Sequence, residues 1–380
     1  MKYRKFGKLD EQVSVLGFGC MRLPTKDNKP MSGDIDEKRS VRLIRYAIDQ
    51  GINYIDTAYP YHNGNSETVT GKALGDGYRG KVKLATKSPL WSVTCADDFD
   101  KFLNEQLKKL QTDHIDFYLF HGLSRKRWED TVLKFDLLKK AEKAISDGKI
   151  SHVGFSFHDN YESFKLIVDS YDCWDFCQIQ YNYMDTENQA GTKGLRYAAS
   201  KGLAVVVMEP LFGGKLAVPP QEVRKIFEEY SIKRSPVQWA LQWIWNHPEV
   251  ACVLSGMSNM RQLDENIQTA ETISNAPLSA EDMQLIKRVR WAFLKRKTVP
   301  CTKCGYCMPC PQGVNIPWIL ELYNNGIIYD DMAGSRFAYG RFVPETQRAS
   351  LCNQCGLCEE KCPQAVNPGK LMSDIHKKLK

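Results

Sequence analysis

Short apolar runs recur along the first two-thirds of the chain, separated by longer stretches in which apolar residues return every three or four positions. The runs are VLGFGCM (15–21), INYIDT (52–57), VKLATK (82–87), IDFYLF (115–120), HVGFSF (152–157), FCQIQY (176–181), LAVVVM (203–208) and VACVLS (250–255). They are short, rich in valine, isoleucine, phenylalanine and tyrosine, and apolar on both faces, the pattern of strands buried in a parallel sheet. The stretches between them read as amphipathic helices. In DDFDKFLNEQLKKLQT, for example, Phe99, Phe102, Leu103, Leu107 and Leu110 fall on one stripe. Eight strand-then-helix units in roughly 250 residues predict a (β/α)8, or TIM, barrel. The competing doubly wound sheet more usually stops at five or six strands. KYRKF and QVSVL, ahead of the first run, predict a hairpin plugging the barrel bottom, with residues 7–11 as its turn.

Length adds a second domain. A chain of 380 residues exceeds what a single core usually holds, and the strand pattern stops near residue 275. The expected division is 1–297 for the barrel with its last helix and 298–380 for a smaller, mostly helical domain. The net charge of +7 is modest, and basic residues concentrate only near 288–297 and at the extreme C-terminus. That is too thin for a nucleic-acid surface. Ahead of the first run, MKYRKFGKLDEQ has no apolar core of the kind a signal peptide needs. LAVVVM falls far short of the ~20 residues of a membrane helix. A soluble, cytoplasmic protein with neither nucleic-acid nor membrane partners is expected.

Barrels of this kind place their chemistry at the C-terminal ends of the strands. Those ends offer Asp56 after the second run, Tyr61 five residues on, Lys87 after the third and His121 after the fourth. Singly, each has an ordinary explanation as a surface or packing residue. Together they suit the reduction of a carbonyl, which needs an acid to protonate the oxygen as hydride arrives at carbon. A tyrosine of pKa ~10 is a weak acid unless a cation lies beside it. Lys87 is the expected cation, Asp56 its partner, and His121 a hydrogen-bond donor to the substrate oxygen. Tyr59, Trp91, Trp128 and Phe212 are candidate aromatic walls for the pocket. Two apparent nucleotide motifs are set aside: GDGYRG (75–80) precedes a strand instead of following one, and GNSETVTGKA has Ala73 where a phosphate loop needs serine or threonine.

DTAYPYHNGNSE, LATKSP and DFYLFH resemble the three signature stretches of the aldo-keto reductases, and the likeness extends over residues 1 to about 275. The resemblance implies that Asp56, Tyr61, Lys87 and His121 form the catalytic tetrad. It also implies a nicotinamide cofactor, NADP or NAD, lying extended across the barrel mouth. By the same resemblance Ser156 and Gln178 would hold the carboxamide, and Met208 would stand under the nicotinamide ring. Leu211, Gly213 and Lys215, in PLFGGKL, would cover the pyrophosphate. Ser258, Gln262, Glu265 and Asn266 would line the adenosine side. The chain departs from the family at Phe157, where an asparagine often follows the serine. It departs again at Gly256 and Gln262, where many members place a lysine and an arginine on the 2′-phosphate.

The tail carries a different signal. Eight of thirteen cysteines fall in CTKCGYCMPCPQGV (301–314) and CNQCGLCEEKCPQAV (352–366). The other five, Cys20, Cys95, Cys173, Cys177 and Cys252, are scattered and read as small buried hydrophobes. A C-x2-C-x2-C run supplies three corners of an iron–sulfur cubane, and the fourth ligand, followed by proline, comes from the other run. By that rule one [4Fe–4S] cluster takes Cys301, Cys304, Cys307 and Cys362, and the other Cys352, Cys355, Cys358 and Cys310. Zinc favours pairs of C-x2-C over triple runs. The region resembles a bacterial two-cluster ferredoxin whose halves are separated by a helical insertion, with a loop at 325–343.

The expectation is therefore an NAD(P)-dependent reductase of a small carbonyl compound carrying two [4Fe–4S] clusters, with an external electron carrier as a candidate partner. The alternative is a redox-sensing or electron-transfer adaptor whose barrel binds cofactor and turns over slowly.

Overall fold

All eight apolar runs form strands in the computed structural model, which describes residues 1–273 and 277–380. A hairpin of β1 (Tyr3–Lys5) and β2 (Gln12–Ser14) comes first and is antiparallel. Then follow β3 (Leu16–Gly19), β4 (Tyr54–Asp56), β5 (Lys83–Ser88), β6 (Ile115–Leu123), β7 (Ile150–Phe157), β8 (Phe176–Gln180), β9 (Ala204–Met208) and β10 (Val250–Ser255). These eight are parallel, pair in chain order, and close when β10 pairs with β3 through Val253–Leu16 and Ser255–Phe18. The barrel is the expected one.

Phe6, at the end of the hairpin strand, fills the barrel bottom. Its ring lies 4.5 Å from that of Phe117 and 5.5 Å from that of Phe176. The next residue must be glycine: Gly7 has φ +59°, and a Cβ there would sit 2.4 Å from the amide nitrogen of Ala204. The apolar stripe of the helix Asp97–Leu110 also folds as read, with Phe99, Phe102, Leu103 and Leu110 buried. GDGYRG is a helix-to-strand turn, with Gly75 ending the helix Ser66–Leu74 before β5 begins.

The contacts divide the chain into two compact units. Met1–Gly213 with Val237–Leu278 make the barrel, and Gly214–Pro236 with Ser279–Lys380 make the other. Within the second unit the helix Gln221–Glu229 meets the helix Ala280–Lys295, and Tyr230 donates to the Asp282 carboxylate at 3.0 Å. Its core gathers Val314, Ile319, Leu320, Tyr339, Val366, Met372 and Ile375, and six of the eight clustered cysteines pack against it.

Two expectations are corrected. Residues 325–343 are no loop: the helix Ile316–Ile328 runs into them and the helix Met332–Phe342 fills most of the rest. Three glycines (326, 334 and 340) disguise it, while Asp331 caps the second helix by accepting from the Gly334 amide at 2.8 Å. Of the five scattered cysteines, Cys20, Cys177 and Cys252 are buried, but Cys95 and Cys173 are exposed. Both of these lie in turns rather than in a core-facing strand or helix.

Among the described residues no helix is long and apolar enough to cross a membrane.

Candidate active site and cysteine-lined cavities

The four strand-end residues converge. Lys87, on β5, is 1% exposed and Asp56, at the end of the adjacent β4, 2%. The Lys87 ammonium donates to both oxygens of Asp56 and to the Thr57 carbonyl, each at 2.7 Å, so all three of its protons have acceptors. Its nitrogen lies 5.1 Å from the centre of the Tyr61 ring. Tyr61 meets His121, from β6, edge-on with ring centres 6.1 Å apart. Burial pushes the Asp56 carboxyl up and the Lys87 ammonium down, and each partner's charge pulls the other back.

The Tyr61 hydroxyl is displaced opposite to the sequence expectation. Burial, then the charges of Asp56, Glu209 and Cys20, hold it well above the usual phenol range. Lys87 has committed its protons elsewhere and acts on the ring, not as a hydrogen-bond donor to the oxygen. The result is a phenol that keeps its proton at every physiological pH. His121 is held well below the usual imidazole range by burial and then by Lys87, His158 and Arg127, so it is neutral and keeps both a donor and an acceptor nitrogen.

A second layer holds β5 in place. Gln106 donates to the Lys87 carbonyl at 3.0 Å and to Glu67 at 2.6 Å, while Thr86 donates to the same Glu67 oxygen and Tyr118 to the Gln106 carbonyl. All four side chains are buried. The sequence did carry a hint of this network. Gln106 is a polar residue on the buried stripe of an otherwise apolar-faced helix, a position that needs polar partners.

Of the four aromatic candidates, Trp91 lies beside the site, 5.0 Å from the His121 ring centre and about half exposed. Trp128 is core, packed on Trp174. Tyr59 turns to Glu105 and Phe102, and Phe212 sits in the loop beyond β9.

All of the expected cofactor residues except Lys215 belong to the barrel unit. Ser156 is buried on β7 and accepts from the Gly122 amide at 2.7 Å. Gln178, on β8, reaches the sulfur of half-buried Met208 at 3.7 Å. Leu211 and Gly213 lie in the loop that follows β9. Asn266 is buried and donates to Ser255 at 2.9 Å. Ser258 gives its amide and hydroxyl to Gln262, and the helix Met260–Glu271, which carries Glu265, is capped by Asn259. Lys215 belongs to the second unit, where it lies over the Tyr329 ring.

Two atoms test whether this mouth fits a ligand. Gln178 Oε1 and His121 Nδ1 are buried and have no hydrogen-bond partner. A carboxamide N–H against the first would satisfy it, as an extended nicotinamide requires.

In the second unit the two cysteine runs fold alike. Lys303 and Gln354, equivalent in the two runs, both have φ +60°, and the following Gly305 and Gly356 have φ +79° and +81°. One cavity is lined by Cys307, Cys310, Cys352, Cys355 and Cys358. Another is lined by Cys301, Cys304, Cys307 and Cys362. Among the described residues no three cysteine, histidine or carboxylate side chains are grouped to hold a single metal ion. Thiols spread around a cavity are the donor set of a polynuclear cluster.

The Aldo/keto reductase family model matches residues 15–290, and the model of the 4Fe-4S dicluster domain matches residues 300–367. The uncharacterized oxidoreductase YqkF of Bacillus subtilis is 29% identical over 301 residues, covering 71% of this chain and 91% of its own. The aldo-keto reductase YhdN of the same organism is 30% identical over 245 residues, 61% of this chain and 67% of its own. Among solved structures, the holo form of aldo-keto reductase AKR11C1 from Bacillus halodurans superposes with a TM-score of 0.62 at 27% identity, over 76% of this chain and 96% of its own.

Proposed function

The chain belongs to the aldo/keto reductase family, and on that premise we propose that it reduces a small aldehyde or ketone to the alcohol with NADPH or NADH. The observation that carries the reading is the buried Asp56–Lys87 pair set beneath Tyr61 and His121 at the strand ends, with unpartnered polar atoms on His121 and Gln178 beside it. The nicotinamide, when bound, supplies hydride to the carbonyl carbon. Tyr61 gives its hydroxyl proton to the carbonyl oxygen, so C=O becomes CH–OH, and the phenolate regains a proton from water. Neutral His121 orients the oxygen through its N–H. Lys87, held by Asp56, stabilises the negative charge that forms on Tyr61 as the proton leaves. Ser156 and Gln178 hold the carboxamide, Met208 packs under the ring, and Leu211, Gly213, Ser258, Gln262, Glu265 and Asn266 line the rest of the dinucleotide's path.

We read residues 298–380 as a ferredoxin-like unit with two [4Fe–4S] clusters, held by the two thiol sets described. Anaerobically purified protein should then contain about eight irons per chain and matching sulfide. Stoichiometric zinc without sulfide would refute this. The cytoplasm, where thiols stay reduced, suits such clusters.

Hydride carries two electrons, whereas each cluster passes one, and no side chain can divide the pair. The reading that follows is that hydride transfer needs the barrel alone. The clusters either order the tail or wire the protein to an external one-electron carrier. The test is steady-state oxidation of NADPH and NADH with a panel of small aldehydes, in the intact protein and in Cys304→Ala/Cys355→Ala, which alters the two exposed ligands. Turnover should persist in both. Cofactor binding without turnover in the intact protein would instead mark an adaptor, and loss in the cysteine variant alone would place the clusters on the catalytic path.

A further inference from the structure

The space that a side chain at Gly256 would need is already filled. A Cβ on Gly256 would lie 2.6 Å from Cγ and 2.8 Å from Cβ of Arg22. Arg22 ends the short turn Cys20–Arg22 that follows β3, so it leaves the barrel at the same end as Gly256, from the strand next door. Its guanidinium extends to the loop beyond β9, where Nη2 is 3.6 Å from the position of a Cβ on Gly213. One arginine thus spans the loops after β3, β9 and β10, which are the loops that line the proposed dinucleotide path. Glycine at 256 lets it lie there.

The side chain is half-buried, and its guanidinium has no hydrogen-bond or ion-pair partner among the described residues. The Glu209 carboxylate borders Gly213 too, with Oε2 3.7 Å from the same Cβ position, and does not pair with Arg22. A partly desolvated cation left without a partner is unfavourable, and an anion relieves it. A guanidinium fork matches two phosphate oxygens at once.

We propose that Arg22 is the phosphate-binding cation of the cofactor site, filling from the first barrel strand the role that a lysine at position 256 would fill from the last. The inference rests on the reading of the barrel mouth as a nicotinamide-dinucleotide site. Its ligand is a phosphate of that dinucleotide, either the 2′-phosphate of NADPH or the pyrophosphate common to NADPH and NADH.

The test is fluorescence titration of the intact protein, Arg22→Met and Arg22→Lys with NADPH and with NADH. Methionine keeps the length of the stem and removes the charge, and should weaken binding by about 10–100-fold, the usual worth of a charge-assisted hydrogen bond. Lysine should fall between the two, because it keeps the charge and loses the fork. Weakening of NADPH alone assigns the 2′-phosphate, and equal weakening of both assigns the pyrophosphate. Arg22→Met with unchanged dissociation constants for both cofactors overturns the proposal. An intact protein that binds neither cofactor overturns the underlying reading of the mouth instead.

Discussion

Tyr61→Phe is expected to slow carbonyl reduction by ~10²-fold or more while nicotinamide binding survives. The substitution removes one oxygen and keeps the ring, so the edge-on contact with His121 and the cation beneath the ring both persist. What disappears is the proton. No neighbour can replace it: His121 is neutral and is held far below the range in which it would be an acid, and the Lys87 protons are bound to Asp56 and Thr57. The direction of the Tyr61 shift also sets the pH profile. A hydroxyl raised above its ordinary value stays protonated throughout the neutral range, so reduction should show no loss from Tyr61 ionisation as pH rises from 6 to 9. Single-turnover rates with saturating cofactor are the measurement, and a near-wild-type rate in the phenylalanine variant would remove Tyr61 from the role of acid.

Lys87→Met is expected to destabilise the barrel by about 3–5 kcal/mol, the typical cost of leaving a buried charge without its partner. That corresponds to a fall in Tm on the order of 10 °C. The Asp56 carboxylate would then lie buried among apolar strands, its charge no longer offset by the ammonium 2.7 Å away. The sign with pH follows from Asp56. Its folded pKa is already raised by burial, and losing Lys87 raises it further, so the folded variant binds more protons than the unfolded chain. Stability is therefore kept at low pH and lost as pH rises through the folded pKa, and the deficit should be larger at pH 8 than at pH 5. The double variant Asp56→Asn/Lys87→Met removes both charges and should recover much of the loss while remaining inactive. If thermal melts show it no more stable than Lys87→Met, the pair is not the source of the deficit.

The barrel was legible because strands buried on both faces are predominantly apolar, and eight such runs leave little else to build. The convergence of the four strand-end residues was legible because a closed parallel barrel brings the C-terminal ends of its neighbouring strands together. The cysteine runs announce themselves by spacing alone. Arg22 was not legible, because its partner surface is created by ring closure between the first and last strands of the barrel, and no local pattern records that contact. The acidity of Tyr61 was misjudged because a sequence shows which charges are near but not how their hydrogen bonds are spent. The helix Met332–Phe342 was read as loop because its glycines weaken propensity, while its cap and its packing against the helices Ile316–Ile328 and Pro368–Leu379 supply what propensity lacks.

The stem of Arg22 over Gly256 also constrains how this protein can change. A side chain at 256 clashes with the arginine, so a lysine cannot enter there while Arg22 remains. Shortening residue 22 first leaves that part of the mouth with neither cation. Either route to a lysine at 256 passes through an intermediate worse than both ends, so the two positions should change together. Single substitutions at either position are therefore expected to be tolerated less well than a paired exchange of both.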